Sequence, residues 1–241
     1  MRSAKDIASF DFPAGRSITP KYEVIERLGS GWEGEVYKII ERNTGIIRAA
    51  KLFYPKRNLK GKTSRFYARK LHTLRHCPIV IQYHTEETVL VRKTPVTALI
   101  SEFVEGELLS QVLARQPGKR MHPFMATHLL YALTLGIEQI HHAGEYHGDL
   151  HSENVIVSRH GLGFELKLLD LYHWNAPKRE NLQEDLCDMI RLFYDALGGA
   201  KHYAKQTPPI KYIVCGLKRG LILKRFRNAS QLREHLETMR W

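Results

Sequence analysis

Three oxygen-bearing side chains at fixed intervals carry the sharpest chemical signal in the chain. Asp149 and Asn154 lie five apart in the run His147-Gly148-Asp149-Leu150-His151-Ser152-Glu153-Asn154-Val155, and Asp170 ends the apolar run ELKLLD. An aspartate can orient a hydroxyl or take its proton, while an asparagine carbonyl and a second carboxylate are hard oxygen ligands for Mg2+. Together they suit phosphoryl transfer. The plain alternative, an Asp or Asn capping a turn, has to explain all three positions at once.

A second set lies far upstream. Gly29-Ser30-Gly31-Trp32-Glu33-Gly34 follows a strand-like segment, and Val36 comes two residues later. Glycines at these spacings let the backbone turn tightly and bring amides to phosphate oxygens. A dinucleotide fingerprint would need a helix next. GEVYKI is strand-like instead, which suits a glycine-rich hairpin over phosphates, with an ordinary hairpin turn as the bland reading. Lys51, fifteen residues beyond Val36, can present its ammonium to the α- and β-phosphates. Val36 and Ala49 would cover an adenine. Glu102 and Val104 would offer backbone hydrogen bonds to the purine edge, and Glu107 could take a ribose hydroxyl.

The elements that must position these groups change character along the chain. Residues 1–20 read as a leader. Strands are expected over 22–29, 34–42 and 46–54, with Thr44 and Gly45 in a turn, then a basic loop and a helix over 64–76. A run of short strands follows over 79–103. Beyond Gly106 the pattern is mostly helical: a short helix, a strong one over 125–144 ended by Gly144, two short strands (NVIVS and FELKLLD), and a helix over 182–197. PPIKYIVCGLKRG and SQLREHLETM read as further helices. The layout is two lobes with a hinge near 102–106.

In this order the motifs resemble those of the protein kinase superfamily, and in particular its compact, divergent microbial members, over about residues 22–236. LGSGWEGEVYK looks like the glycine-rich loop, AAK the strand-three lysine motif, ISEFVEGELL the hinge, HGDLHSENV the catalytic loop, and LLDLY the segment of the metal-binding aspartate. The resemblance implies an α+β, bilobal kinase-like fold, with a leader and β-rich N-lobe over 1–103 and a hinge and helical C-lobe over 104–241. It implies ATP and Mg2+, with Asp149 as catalytic aspartate, Asn154 and Asp170 as metal ligands, and Lys51 on the phosphates. Gly29, Gly31, Gly34, Val36, Ala49, Glu102, Val104, Glu107 and Ile156 would line the nucleotide. Asp185 matches a buried aspartate that braces the catalytic loop, and Arg227 a late C-lobe arginine.

Departures from the family pattern bear on activity. Lys51 should pair with a helix glutamate at Tyr67 or Ala68, yet no acid lies between Glu41 and Glu86. Lys51 is then expected to be held by Asp170, by phosphates, or not at all. His151 stands where a lysine is usual, Tyr172 where the DFG glycine would be, and only fourteen residues separate Asp170 from Asp185. Three functions compete: a kinase for Ser or Thr hydroxyls, a kinase for a small sugar, aminoglycoside-like or lipid-head-group acceptor, and a non-catalytic kinase-like binding module.

Composition sets the remaining bounds. The 241 residues, 43% of them hydrophobic, suffice for a real core and exclude a disordered chain. No apolar run is long enough to span a bilayer and no signal-peptide core is visible, so a cytoplasmic protein with its three cysteines reduced is expected. The formal charge of +12 favours an anionic partner. Arg42, Arg48, Lys56, Arg57, Lys60, Lys62, Arg65, Arg69, Lys70 and Arg75 fill an acid-free stretch. That stretch could face nucleic acid, anionic lipid or an acidic protein, or serve as solvated surface.

Overall fold

The computed structural model describes residues 7–160, 163–171 and 178–239, and at 159–160 the backbone alone. In chain order the first elements are β1 (Tyr22–Ser30), β2 (Gly34–Glu41), β3 (Ile47–Phe53), α1 (Lys62–Thr73), β4 (Tyr83–Val91) and β5 (Thr94–Glu102). Then come β6 (Glu107–Leu108), α2 (Leu109–Arg115), α3 (Pro123–His142), β7 (Val155–His160) and β8 (Gly163–Leu168). The chain ends with α4 (Arg179–Ala196), α5 (Ala200–Tyr203), α6 (Pro208–Val214), α7 (Arg219–Arg225) and α8 (Ala229–Thr238).

Two units result. One comprises residues up to 75 together with 81–104; the other takes 76–80 and 105 onward. The first is a five-stranded antiparallel sheet in the order β1-β2-β3-β5-β4, with α1 packed on β4 and β5. Alternation sorts its faces. Val36, Lys51 and Leu99 are cross-strand partners and share one face. Tyr37, Ile39, Ala50, Leu52, Val96, Ala98 and Ile100 are buried in one core cluster.

That cluster includes part of the segment read as a leader. Ile7, Phe10, Phe12 and Ile18 are buried in it. Phe10 stacks on Tyr54 and Phe12 on Tyr37, with ring centroids 5.2 and 5.4 Å apart. Residues 15–16 also bond to β1, Gly15 N–H donating to Val24 O at 2.8 Å and Val24 N–H to Arg16 O at 2.9 Å. The segment is a strap across the sheet. It supplies the apolar cover that the core-facing side chains require.

The strap is keyed by a wholly buried carboxylate, Glu35. Glu35 accepts from Ser9 Oγ, Phe10 N and Tyr54 Oη, each at 3.0 Å, and from Tyr37 Oη, which itself accepts from Phe12 N at 3.2 Å. Burial pushes the Glu35 carboxyl up, but these donors, Tyr37 foremost, outweigh it and hold the group below the usual glutamate value. Burial and the same carboxylate raise the Tyr54 phenol to about 12.

Two other expectations change. The run of short strands over 79–103 is one hairpin, β4–β5, whose two-residue turn puts Arg92 and Lys93 at φ 49° and 66°. Residues 79–82 belong to no strand; Val80 makes an isolated bridge to Leu168, supported by Leu168 N–H donating to Ile79 O at 2.7 Å. PPIKYIVCGLKRG is helical only to Val214, because Cys215, Gly216 and Leu217 all take left-handed φ values of 53–60° and end α6, and α7 starts at Arg219.

The second unit carries the three-stranded sheet β6-β7-β8 and α3, which packs on β8, α4 and α8. Gly136 of α3 lets residue 79 approach, since a Cβ there would lie 2.1 Å from the Ile79 side chain. Among the described residues no helix is long and apolar enough to cross a membrane.

Candidate active site

The catalytic-loop segment is built around Asp185 on α4. This carboxylate is fully buried. One oxygen accepts from His147 N at 2.7 Å and lies 3.0 Å from His141 Nε2; the other accepts from Gly148 N at 2.8 Å. Two consecutive amides on one carboxylate fix the backbone that leads into Asp149. Gly148 turns there at φ 86°, in the left-handed region that favours glycine. The loop is then tied to the strand end behind it, with His147 Nε2 3.0 Å from Leu169 O and Leu169 N–H donating to Asn154 O at 2.9 Å.

These ties bring Asp149 and Asn154 together. Asn154 is buried, and its Nδ2 donates to the Asp149 backbone oxygen at 2.8 Å. The Asp149 side chain is about half exposed. The imidazole of His151 reaches the same spot, with Nε2 3.0 Å from Asn154 Nδ2 and 3.6 Å from Asp149 Oδ2. Asp170 follows directly on Leu169 and sits at φ 50°, a left-handed conformation that Asp tolerates better than most residues. Strain of this kind gathers at functional positions. Tyr172, the third residue of the DFG-like triplet, lies outside the described residues.

The donor chemistry suits Mg2+. With its amide nitrogen committed to Asp149 O, Asn154 has its carbonyl oxygen as the remaining ligand, and Asp170 adds a carboxylate. Among the described residues no group of three or more His, Cys, Asp or Glu could hold a metal by itself. Near the loop, burial first, then Glu184 and Asp185, push the Asp188 carboxyl up to about 6.

The first unit holds the other set. The turn between β1 and β2 is closed by Gly31 N–H donating to Gly34 O at 2.9 Å. Gly34 is required by packing, since a Cβ there would lie 1.9 Å from Leu52 O. Gly29 and Gly31 are different: a Cβ at either would meet no atom within 4 Å. Val36 and Lys51 are direct cross-strand partners, and Ala49 pairs with Ser101. Glu102 donates its N–H to Gln82 O at 2.9 Å, and its Oε1 accepts from Gln82 N at 3.0 Å, which fixes the strand end before Val104.

Lys51 has a carboxylate partner that the sequence reading did not name. Its Nζ lies 3.0 Å from Glu33 Oε2 and 4.7 Å from the centre of the Tyr67 ring. The helix position that lacks an acid therefore presents an aromatic face, and the glycine-rich turn supplies the acid.

In the second unit, Glu107 and Ile156 lie on neighbouring strands of the small sheet. Glu107 is engaged by Arg115, which donates Nη1 to its Oε1 at 2.8 Å, so a ribose hydroxyl would share this carboxylate. Gly106 is needed because a Cβ would come within 2.7 Å of the Ile156 side chain. At Arg227 the backbone N–H donates to Gln231 Oε1 at 2.8 Å at the start of α8.

The model of the protein kinase domain matches residues 22–187. The chain belongs to the protein kinase family. It is 35% identical over 161 residues to the serine/threonine-protein kinase pkn2 of Myxococcus xanthus, covering 66% of this chain and 18% of that protein. It is 31% identical over 193 residues to cyclin-dependent kinase 15 of Mus musculus, covering 77% of this chain and 41% of that one. The chain thus spans less than half of either relative. Among solved structures, a single mutant of the PknI kinase domain of Mycobacterium tuberculosis superposes with a TM-score of 0.67 at 16% identity, covering 94% of this chain and 98% of that one. A double mutant of the same domain gives 0.66 at 17% identity, over 95% and 97% of the two chains. At that identity the likeness is one of fold alone: the bilobal protein-kinase-like fold, with a β-rich N-lobe and a helical C-lobe.

Proposed function

We propose that this kinase-family chain is an ATP- and Mg2+-dependent phosphotransferase acting on a serine or threonine hydroxyl. The observation that carries the reading is the Asp185-braced loop, in which Asn154 is bonded to the Asp149 backbone and the next strand ends on a left-handed Asp170. A scaffold without chemistry has no need for this arrangement.

In this reading Lys51 contacts the α- and β-phosphates, and the amides of the 29–34 turn face the phosphate oxygens. The room beside Gly29 and Gly31 supports that role, because among the described residues no atom lies close enough to a Cβ there to require glycine. Asn154 and Asp170 would hold Mg2+, which would supply neutralisation of the phosphate charge. Asp149 orients the acceptor hydroxyl and takes its proton. The hydroxyl oxygen bonds to the γ-phosphorus as the bond to the β-phosphate oxygen breaks, and ADP leaves.

One observation favours a smaller acceptor as a second reading. Helix α4 begins at Arg179, so only residues 171–178 lie between Asp170 and that helix. This is little chain from which to build a platform for a peptide.

The reading extends to the exposed cations of the acid-free stretch, to which we assign a polyanion as partner. Lys56, Arg57, Lys62, Arg65 and Arg69 are exposed, whereas Lys70 is buried. Arg65 is already engaged, its guanidinium donating to Gly61 O at 3.0 Å and Lys60 O at 2.7 Å.

The test is transfer of labelled γ-phosphate to a panel of peptide and small hydroxylated acceptors, with and without Mg2+, for wild type and Asp170→Ala. The reading expects Mg2+-dependent transfer that is lost in the variant. Tight ATP binding with no transfer in wild type would point to a non-catalytic module instead.

A further inference from the structure

The family pairs its strand-three lysine with a glutamate from the helix, and this chain has no acid there. We propose that Glu33, in the phosphate-binding turn, is the positioning residue that takes over that task. The inference rests on the nucleotide-binding part of the proposed function and adds a residue to it.

The geometry around Lys51 supports an anchor. Its ammonium lies against the Tyr67 ring on the helix side and 3.0 Å from Glu33 Oε2 on the turn side. The pair is only partly exposed, with side-chain exposures of 13% for Lys51 and 26% for Glu33. At such a site the attraction is stronger than between fully solvated charges. The Tyr67 ring is itself held by an edge contact with Phe53, centroids 6.5 Å apart.

Glu33 is also rooted rather than mobile. Its carbonyl accepts from Tyr54 N at 2.8 Å, and the next residue, Gly34, is pressed against Leu52 O. The glycines with open room, Gly29 and Gly31, lie on the far side of Trp32. The Glu33 backbone therefore stands at the base of the turn beside β3, with its carboxylate on the Lys51 ammonium.

This arrangement changes what controls the lysine. A helix-borne glutamate makes the ion pair depend on where the helix sits. Here Glu33 belongs to the β1–β2 turn and Lys51 to β3, two parts of one sheet, so the pair does not depend on the position of α1. The lysine is set by closure of the turn itself.

The experiment compares wild type, Glu33→Gln, Glu33→Asp and the double variant Glu33→Gln/Tyr67→Glu, which moves the carboxylate to the helix. Two quantities are read: affinity for a fluorescent ATP analogue with Mg2+, and turnover. Thermal melting confirms that each variant is folded. Loss of one charge-assisted contact in Glu33→Gln should lower nucleotide affinity or kcat/KM by about tenfold or more. The double variant should regain most of that loss, which a merely structural role for Glu33 would not allow. Glu33→Asp, which keeps the charge, should fall between wild type and Glu33→Gln. Unchanged affinity and turnover in Glu33→Gln, or tighter nucleotide binding, would overturn the proposal; the latter would make Glu33 a competitor of the phosphates. Should wild type bind nucleotide but transfer nothing, the phosphotransfer reading fails while the affinity comparison still decides the anchor.

Discussion

Asp185 accepts the backbone N–H of Gly148 at 2.8 Å from a wholly buried position on α4, thirty-seven residues further along the chain. The contact fixes the His147–Gly148 peptide, one residue ahead of Asp149. Replacing Asp185 by Ala would strand that amide and the amide of His147, each at about 1–3 kcal/mol for a buried unsatisfied donor. We expect Asp185→Ala to lower the denaturant midpoint clearly, with loss of any turnover, and chemical denaturation followed by fluorescence checks it. A midpoint equal to wild type would show that the loop holds its shape without the brace.

The N-terminal strap should behave as part of the core. Phe12 is buried and stacked on Tyr37, so Phe12→Ala should destabilise by about 3–5 kcal/mol. Glu35 gives the same region a pH dependence. Its native pKa lies below the ordinary 4.5, so the stabilisation is fully present above that value and is lost as pH falls below it. Melting curves between pH 3 and 7 should show an acid-side loss that is smaller in a Glu35→Gln background.

Much of this site was legible because its chemistry is local. Asp149, Asn154 and Asp170 sit in short runs whose spacing alone brings them onto one loop and one strand end. The strands 22–30, 34–41 and 47–53 follow from alternation and turn residues. Other features depended on contacts that no window along the chain contains. The strap was read as a leader because Phe10 and Phe12 have their partners 25 residues away on β2. The alternation of Phe10 and Phe12 around a polar residue was the available sign. Glu33 was missed for a different reason: it precedes Gly34, where β2 begins, so the two-residue period that assigns faces does not apply to it. The break in PPIKYIVCGLKRG was hidden because Cys215 and Leu217, on either side of Gly216, also adopt left-handed φ.

Asp188 should act on stability in the opposite direction to Glu35. Its native pKa of about 6 lies above its ordinary value of 3.8, so the folded state holds the proton more tightly than the unfolded state. Stability from this group is full below pH 3.8 and is lost as pH rises through 6. Asp188→Asn should therefore melt a few degrees higher than wild type at pH 7, with the difference gone near pH 4. A variant that melts lower at pH 7 would contradict the assignment.

The exposed basic stretch yields a salt test. Single-stranded DNA and anionic vesicles should each be titrated at rising ionic strength. Binding through Lys56, Lys62 and Arg69 should weaken steeply with salt and should weaken again when those three are reversed to Glu. Arg65 is left intact because its guanidinium holds the backbone ahead of α1. Absence of binding to either at low salt would leave these cations as solvated surface.

The most direct measurement of the central claim is turnover of labelled ATP with Mg2+ by wild type and by Asp149→Asn, with nucleotide affinity measured in parallel. A base that acts on the acceptor hydroxyl matters in the transition state, so the substitution should lower kcat by about a hundredfold or more while affinity stays near wild type. Equal turnover in the two proteins, or no transfer by wild type to any hydroxyl acceptor, would contradict the account.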